Sequence, residues 1–162
     1  MAQKIVNCLW YADKAEEAAR FYVSVFPNSR IDSVTVMPAD SPSGPEGSVE
    51  VVDFTLNGQQ FMAMKAGPLD SFNHAISQMI LCDTQEEVDH YWNKLGAGGS
   101  YEPCGWLKDK YGVSWQVTPR VLLEMEKDKD KAKARRVVEA MLKMKKIEIA
   151  ALKQAYDGAK AA

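Results

Sequence analysis

The chain has 162 residues, 46% of them hydrophobic and 26% charged, with a formal net charge of −2. That size suits one medium domain or two small modules, and the balanced charge gives no electrostatic case for binding nucleic acid or an anionic membrane. No apolar run is long enough to span a bilayer, and the opening MAQKIVNCLWYADKAEEAARFY turns charged too early for a signal peptide. Cys8, Cys82 and Cys104 are widely spaced and odd in number. They form neither a disulfide framework nor a CxxC zinc signature, so the expected compartment is the reducing cytoplasm.

In chain order, the first segment is NCLWYADKAEEAARFY, residues 7–22. A short apolar run of strand length leads to Asp13 where a helix N-cap belongs, with Glu16 and Glu17 in the first turn, favourable to the dipole. Ala15, Ala18, Ala19, Tyr22 and Val25 then recur at helical spacing. RIDSVTVMP reads as a strand, and SVEVVDFTLNG and QQFMAMKAG as a strand pair joined by the Asn57-Gly58 hairpin signal. Between them PADSPSGPEGS, Pro38 to Ser48, is either a surface loop without fixed structure or a mobile flap over a pocket.

The opening then repeats. SQMILCDTQEEVDHYW, residues 77–92, aligns with residues 7–22 at a constant offset of 70 without gaps, matching Asp13 to Asp83, Glu16 to Glu86, Glu17 to Glu87, Phe21 to Tyr91 and Tyr22 to Trp92. SYEPCGWLKD and VSWQVTP follow as strands around a Tyr111-Gly112 turn, with a further strand expected ahead of them. The pattern is strand-helix-strand-strand-strand, twice, in halves of about 1–68 and 69–120. Residues 121–162 carry no strand signal. Val138, Met141, Leu142, Ile149, Leu152 and Tyr156 mark an apolar helical face broken at Lys145, and the alternating charges of Glu126 to Lys133 read as a solvated helix entrance. Such an amphipathic tail would pack on another surface, a homodimer partner being one candidate.

Paired modules of this kind resemble the vicinal oxygen chelate superfamily, which includes glyoxalase I and the extradiol dioxygenases. EEAARFYVSVFPNSRI, FNHAISQMILCDTQEEVDHYW, CGWLKDKYGVSWQVTP and AMLKMKKIEIAALKQAYDG resemble the PhnB-like family, often named 3-demethylubiquinone-9 3-methyltransferase. The resemblance implies an α+β fold of paired βαβββ modules with a C-terminal helical extension. It also implies that the superfamily's four metal positions fall on Asn7, approximately Ala63, Ser77 and Gln116. A divalent catalytic ion needs basic nitrogen or carboxylate donors, and Gln116 alone approaches that. A metal-free member with no cofactor is therefore expected. The methyltransferase name finds little support. The single glycine-rich candidate for S-adenosylmethionine, LGAGGS at Leu95 to Ser100, follows a helix, where Gly96 ends the helix and Gly98-Gly99 turns the chain.

Strand alternation assigns Asn7, Leu9 and Tyr11 to one face with Phe61, Ala63 and Lys65, and Ser77, Met79 and Leu81 to the equivalent face of the repeat with Ser114, Gln116 and Thr118. If the modules curl as in the superfamily, these residues line an apolar cavity with a few polar groups, suited to a small organic molecule. The alternative is a closed core in which those polar groups satisfy one another around ordered water. The ligand-binding candidates are accordingly Asn7, Leu9, Tyr11, Phe61, Ala63, Ser77, Met79, Ser114 and Gln116.

Other residues read as structural. Cys104, in a loop-like Pro-Cys-Gly context, has no histidine near it in sequence, and His74 and His90 have no visible partner. Trp10, Trp92, Trp106 and Trp115 read as core, and Asp109 as the organiser of its hairpin. Three functions stay open: a metal-independent binding protein for a small, partly apolar organic molecule; an enzyme acting on a quinone or phenolic substrate in the same cavity; and a structural or regulatory dimer.

Overall fold

The computed structural model describes residues 4–68 and 71–158. Two compact units divide the chain, Met1–Ser71 and Phe72–Ala162. Unit 1 runs β1 (Asn7–Tyr11), α1 (Ala15–Val25), β2 (Arg30–Val36), β3 (Glu50–Leu56) and β4 (Gln59–Lys65). Its four strands lie in the order β1-β4-β3-β2, with β1 parallel to β4 and the other pairs antiparallel. Asn57 and Gly58 take φ of 46° and 83°, the pair of left-handed residues that a two-residue hairpin of favourable twist requires. Pro38–Ser48 forms a loop with turn hydrogen bonds of its own, among them Gly47 N to Met37 O at 3.0 Å.

α1 buries Ala15, Ala18, Ala19, Tyr22 and Val25. The small alanines let the helix approach the sheet closely. The Tyr22 ring stacks on Phe54 with centroids 6.5 Å apart, and Phe54 stacks on Phe61 at 5.5 Å. The helix stops at an extended Phe26, as the residue ahead of Pro27 must.

Unit 2 repeats the scheme with β5 (Gln78–Cys82), α2 (Gln85–Gly96), β6 (Ser100–Tyr101), β7 (Trp106–Lys108) and β8 (Ser114–Pro119), in the order β5-β8-β7-β6. The further strand expected ahead of SYEPCGWLKD lies inside it, since that segment folds into both β6 and β7. Asp109 organises the next hairpin as expected. Its carboxylate accepts from Tyr111 N at 2.8 Å, Val113 N at 3.0 Å and Trp115 Nε1 at 2.7 Å.

The tail is three short helices, α3 (Arg120–Glu126), α4 (Lys131–Met141) and α5 (Ile149–Asp157). Asp130 caps α4 by accepting from Ala132 N and Lys133 N, so the charged run is an exposed helix joint. Leu122, Val137, Ile147 and Leu152 form a buried cluster flanked by Met125, Met141, Met144 and Tyr156. The apolar face expected to run through Leu142 and break at Lys145 ends earlier. The chain turns after Met141, which leaves Leu142 61% exposed and buries Val137 in its stead. No helix among the described residues is long and apolar enough to cross a membrane.

The repeat holds a one-residue slip. α1 and α2 begin 70 residues apart, whereas β1 and β5 begin 71 apart. The strand-to-helix connection is Ala12–Lys14 in unit 1 and Asp83–Thr84 in unit 2. Unit 1 absorbs the extra residue with Lys14 left-handed at φ 62° and no side-chain cap, while Thr84 caps α2 by accepting from Glu87 N. Neither Asp13 nor Asp83 is the cap. Because side chains alternate along a strand, this slip exchanges the two faces of β1 relative to the ungapped repeat.

Candidate functional site

In unit 2, α2 covers the face of Ile80, Cys82, Trp115, Val117 and Leu107. Cys82, Leu107, Trp115 and Val117 are buried and α2 packs on β7 and β8, which identifies this as the side beneath α2; desolvation there, with Glu87 and Asp83 nearby, pushes the Cys82 thiol up to about 12. The opposite face carries Met79 beside Gln116, Leu81 beside Thr118, and Trp106 across from Gln116. Met79 is 49% exposed and Leu81 37%, and Trp106 is half-buried. The Gln116 Nε2 donates to Ser77 Oγ at 2.8 Å. That bond leaves the amide oxygen as an acceptor and the serine hydroxyl proton as a donor. Ser114, one alternation before Gln116 and beside Lys108, is 1% exposed, and its hydroxyl has no hydrogen-bond partner among the described residues. An orphaned buried hydroxyl costs about 1–3 kcal/mol, so this one asks for a partner.

At the edge of this face, His74 Nε2 lies 2.7 Å from Glu102 Oε2, and its ring sits 5.7 Å from that of Trp106. Sequence reading missed this pair because the partners are 28 residues apart and meet through the β6–β7 turn. It also read Trp106 as core, whereas only Trp92 and Trp115 are buried; Trp10 is half-buried. Signals for Trp106 were present: it precedes a buried leucine and leads a short strand.

The sequence-predicted residues thus divide. Ser77, Met79, Ser114 and Gln116 come together on one face of unit 2. Leu9, Tyr11, Phe61 and Ala63 are the core of unit 1, a correction that follows from the slip. They are 0–6% exposed and lie on the α1 side, where the Tyr11 and Tyr22 hydroxyls meet at 3.1 Å and Phe61 joins the stack on Tyr22 through Phe54. Asn7 pairs with Phe61 at the start of the same row, half-buried. The face of unit 1 turned away from α1 carries Cys8, Trp10, Met62 and Met64, with the Trp10 indole donating to Gly67 O at 3.2 Å.

The superfamily's metal positions do not fit a divalent ion. Ala63 has no donor, Asn7 is a neutral amide, and Ser77 is engaged by the amide nitrogen of Gln116. By strand pairing the unit-1 counterpart of Gln116 is Met62, since Cys8 pairs with Met62 as Met79 pairs with Gln116. The corrected register therefore supplies no harder donor. Among the described residues no three His, Cys, Asp or Glu side chains gather closely enough to hold a metal. The glycine run after α2 is structural: Gly96 ends the helix, with Tyr101 filling the space a side chain would need, and Gly99 lies against the Lys108 carbonyl.

A family model described as 3-demethylubiquinone-9 3-methyltransferase matches residues 3–118. The tail segment AMLKMKKIEIAALKQAYDG, quoted for the resemblance, lies outside that match. A Bacillus cereus structure titled putative 3-demethylubiquinone-9 3-methyltransferase, PhnB protein, is 40% identical with a TM-score of 0.62, covering 72% of this chain and 99% of its own. A Pseudomonas aeruginosa protein is 21% identical with a TM-score of 0.56, covering 73% of this chain and 98% of its own. The fosfomycin resistance protein FosX of Listeria monocytogenes, solved with Mn(II) and sulfate, is 17% identical with a TM-score of 0.51, covering 71% and 89%. The last two share the fold. No curated protein matches the chain. With its two mixed four-stranded sheets and this match over most of its length, the chain belongs to the PhnB-like, or 3-demethylubiquinone-9 3-methyltransferase, family.

Proposed function

We propose that the chain is a metal-independent binding protein for a small, partly apolar organic molecule, taken up on the unit-2 sheet face of Ser77, Met79, Trp106 and Gln116. The observation that carries this reading is the Gln116–Ser77 hydrogen bond set among exposed apolar side chains beside an orphaned serine hydroxyl. A planar ring would lie against Trp106 and Met79, while its polar edge meets the Gln116 amide oxygen and the Ser77 hydroxyl. Benzamide, with one ring and one amide, is a minimal probe. Calorimetric titration is expected to show binding that weakens about tenfold in Gln116→Ala, the loss of one good hydrogen bond. Equal affinity in wild type, Ser77→Ala, Gln116→Ala and Trp106→Ala would sink the assignment.

A second reading is an enzyme acting on a quinone or phenolic substrate at the same face. The His74–Glu102 pair beside Trp106 favours it, because a carboxylate-oriented imidazole can hold and release a proton. Turnover of a bound compound that disappears in His74→Ala would support it; binding without turnover leaves the first reading. We also propose a homodimer in the cytoplasm, supported by the three free cysteines and by the exposed Val34, Val36 and Met37. The tail's apolar face is consumed within unit 2, so this dimer would not use it. Sedimentation equilibrium reading a single-chain mass would refute the dimer.

A further inference from the structure

Residues 144–149 return from α4 across unit 2 and close on the turn that introduces Trp106. The turn is Pro103-Cys104-Gly105, and its last two residues are both left-handed, with φ of 61° and 81°. For Cys104 that conformation costs about 1–2 kcal/mol, so something must hold it. The tail does. Cys104 N donates to Met144 O at 2.9 Å and Gly105 N to Lys145 O at 2.7 Å, while on the other side Val117 N donates to Gly105 O at 2.8 Å. A side chain at Gly105 would sit 2.8 Å from Val117 O and 3.1 Å from Ile147 Cγ1, so the turn is wedged between β8 and the tail.

The returning segment is itself fastened to α2. Gln85 Nε2 donates to Ile147 O at 3.2 Å, and Gln85 Oε1 accepts from Ile149 N at 2.8 Å. Lys146 Nζ lies 2.5 Å from Asp89 and 3.1 Å from Glu148. Ile147, buried at 1% exposure, ties the segment to the tail's core.

We propose that residues 144–149 are a strap, with Gln85 as its fastening point, that positions Trp106 and Glu102 at the edge of the open sheet face. This rests on the reading of that face as the ligand site. The family match ends at residue 118, so the strap lies outside the matched residues. Gln85 and Ile147 are positioning residues: they act through the turn and are not placed on the face.

Hydrogen exchange on the full-length protein tests the strap without any ligand. In Gln85→Ala the Cys104 and Gly105 amides are expected to exchange about tenfold faster, while β1, β3 and β4 amides keep wild-type rates. Gln85→Glu keeps an acceptor for Ile149 N and loses the donor to Ile147 O, so its rates should fall between. If 146–149 exchanges faster in Gln85→Ala but Cys104 and Gly105 stay protected, the strap is overturned. The link to the site is read by a double-mutant cycle on benzamide affinity. Gln85→Ala should weaken binding about threefold in the wild-type background and not at all in Trp106→Ala. Equal weakening in both backgrounds would contradict positioning through Trp106. Failure of benzamide to bind the wild-type protein counts against the site reading alone, and the exchange rates still decide the strap.

Discussion

Unit 1 and unit 2 fold the same order of elements into sheets of the same topology, yet the faces they leave uncovered differ in chemistry. Away from α1 lie Cys8, Trp10, Met62 and Met64, together with Asp53 beside Met62 and Ser33, whose hydroxyl donates to the Asp53 carboxylate at 2.8 Å. Away from α2 lie comparable apolar side chains, Met79, Leu81 and Trp106, together with hydrogen-bonding groups on Ser77, Gln116 and Ser114. A repeat can therefore keep its scaffold while changing the polar group on that face, a carboxylate paired with serine in unit 1 and a neutral amide paired with serine in unit 2. The slip between β1 and β5 sharpens this. Counting by 70 puts Leu9 with Met79; counting by strand pairing puts Cys8 there, and the buried rows of both sheets then coincide.

The largest expected effects come from the residues that hold each sheet against its helix. Asp109→Ala would strand Trp115 Nε1 and two backbone amides that now bond one buried carboxylate, and should cost about 3–5 kcal/mol by denaturant midpoint. Phe61→Ala should cost a similar ~3–5 kcal/mol through the cavity it leaves beside Phe54. Leu9→Ala against Cys8→Ala tests the register directly. The first should lose about 2–5 kcal/mol and the second stay within about 0.5 kcal/mol. Equal losses would restore the ungapped alignment.

How much of this the sequence could reveal depends on which signals are local. The helices, the Asn57-Gly58 hairpin and the Asp109 turn were all legible, because their chemistry sits within a few residues. Ser77, Met79 and Gln116 fall on one face, which is legible because alternation along β5 and β8 needs no gap. Leu9 and Tyr11 were assigned to the wrong face because Asp13 and Asp83 both imitate a cap, while the extra residue is hidden in a left-handed Lys14. The His74–Glu102 contact and the fastening of Ile147 by Gln85 span 28 and 62 residues, and no periodicity encodes them. The break in the tail's apolar face was placed at Lys145 and not after Met141, because no glycine or proline marks that turn.

A smaller effect concerns pH. The Asp89 carboxyl is held below its ordinary range, first by its hydrogen bond with Lys146 and then by Gln85, and Lys146 is raised, chiefly by Asp89. A depressed carboxyl stabilises above its unfolded value, roughly pH 4, and that support is lost as pH falls through the folded one. A raised lysine stabilises below its unfolded value, roughly pH 10.4, and that support is lost as pH rises through the folded one. Protection of the 144–149 amides, corrected for intrinsic rates, should therefore be flat across neutral pH and fall in acid. Asp89→Asn should weaken the acid dependence, leaving the Lys146–Glu148 contact, and an unchanged profile in that variant would remove the Asp89–Lys146 pair from the account.

The most direct test of the polar face is a methyl spectrum of the protein labelled at methionine, recorded while benzamide is added. Met79 stands for the face of Ser77 and Gln116, and Met62 and Met64 stand for the uncovered face of unit 1. The account predicts that the Met79 methyl moves first and furthest, and that the shift is lost in Gln116→Ala. Movement of Met62 and Met64 with Met79 at rest would contradict it and transfer the site to unit 1.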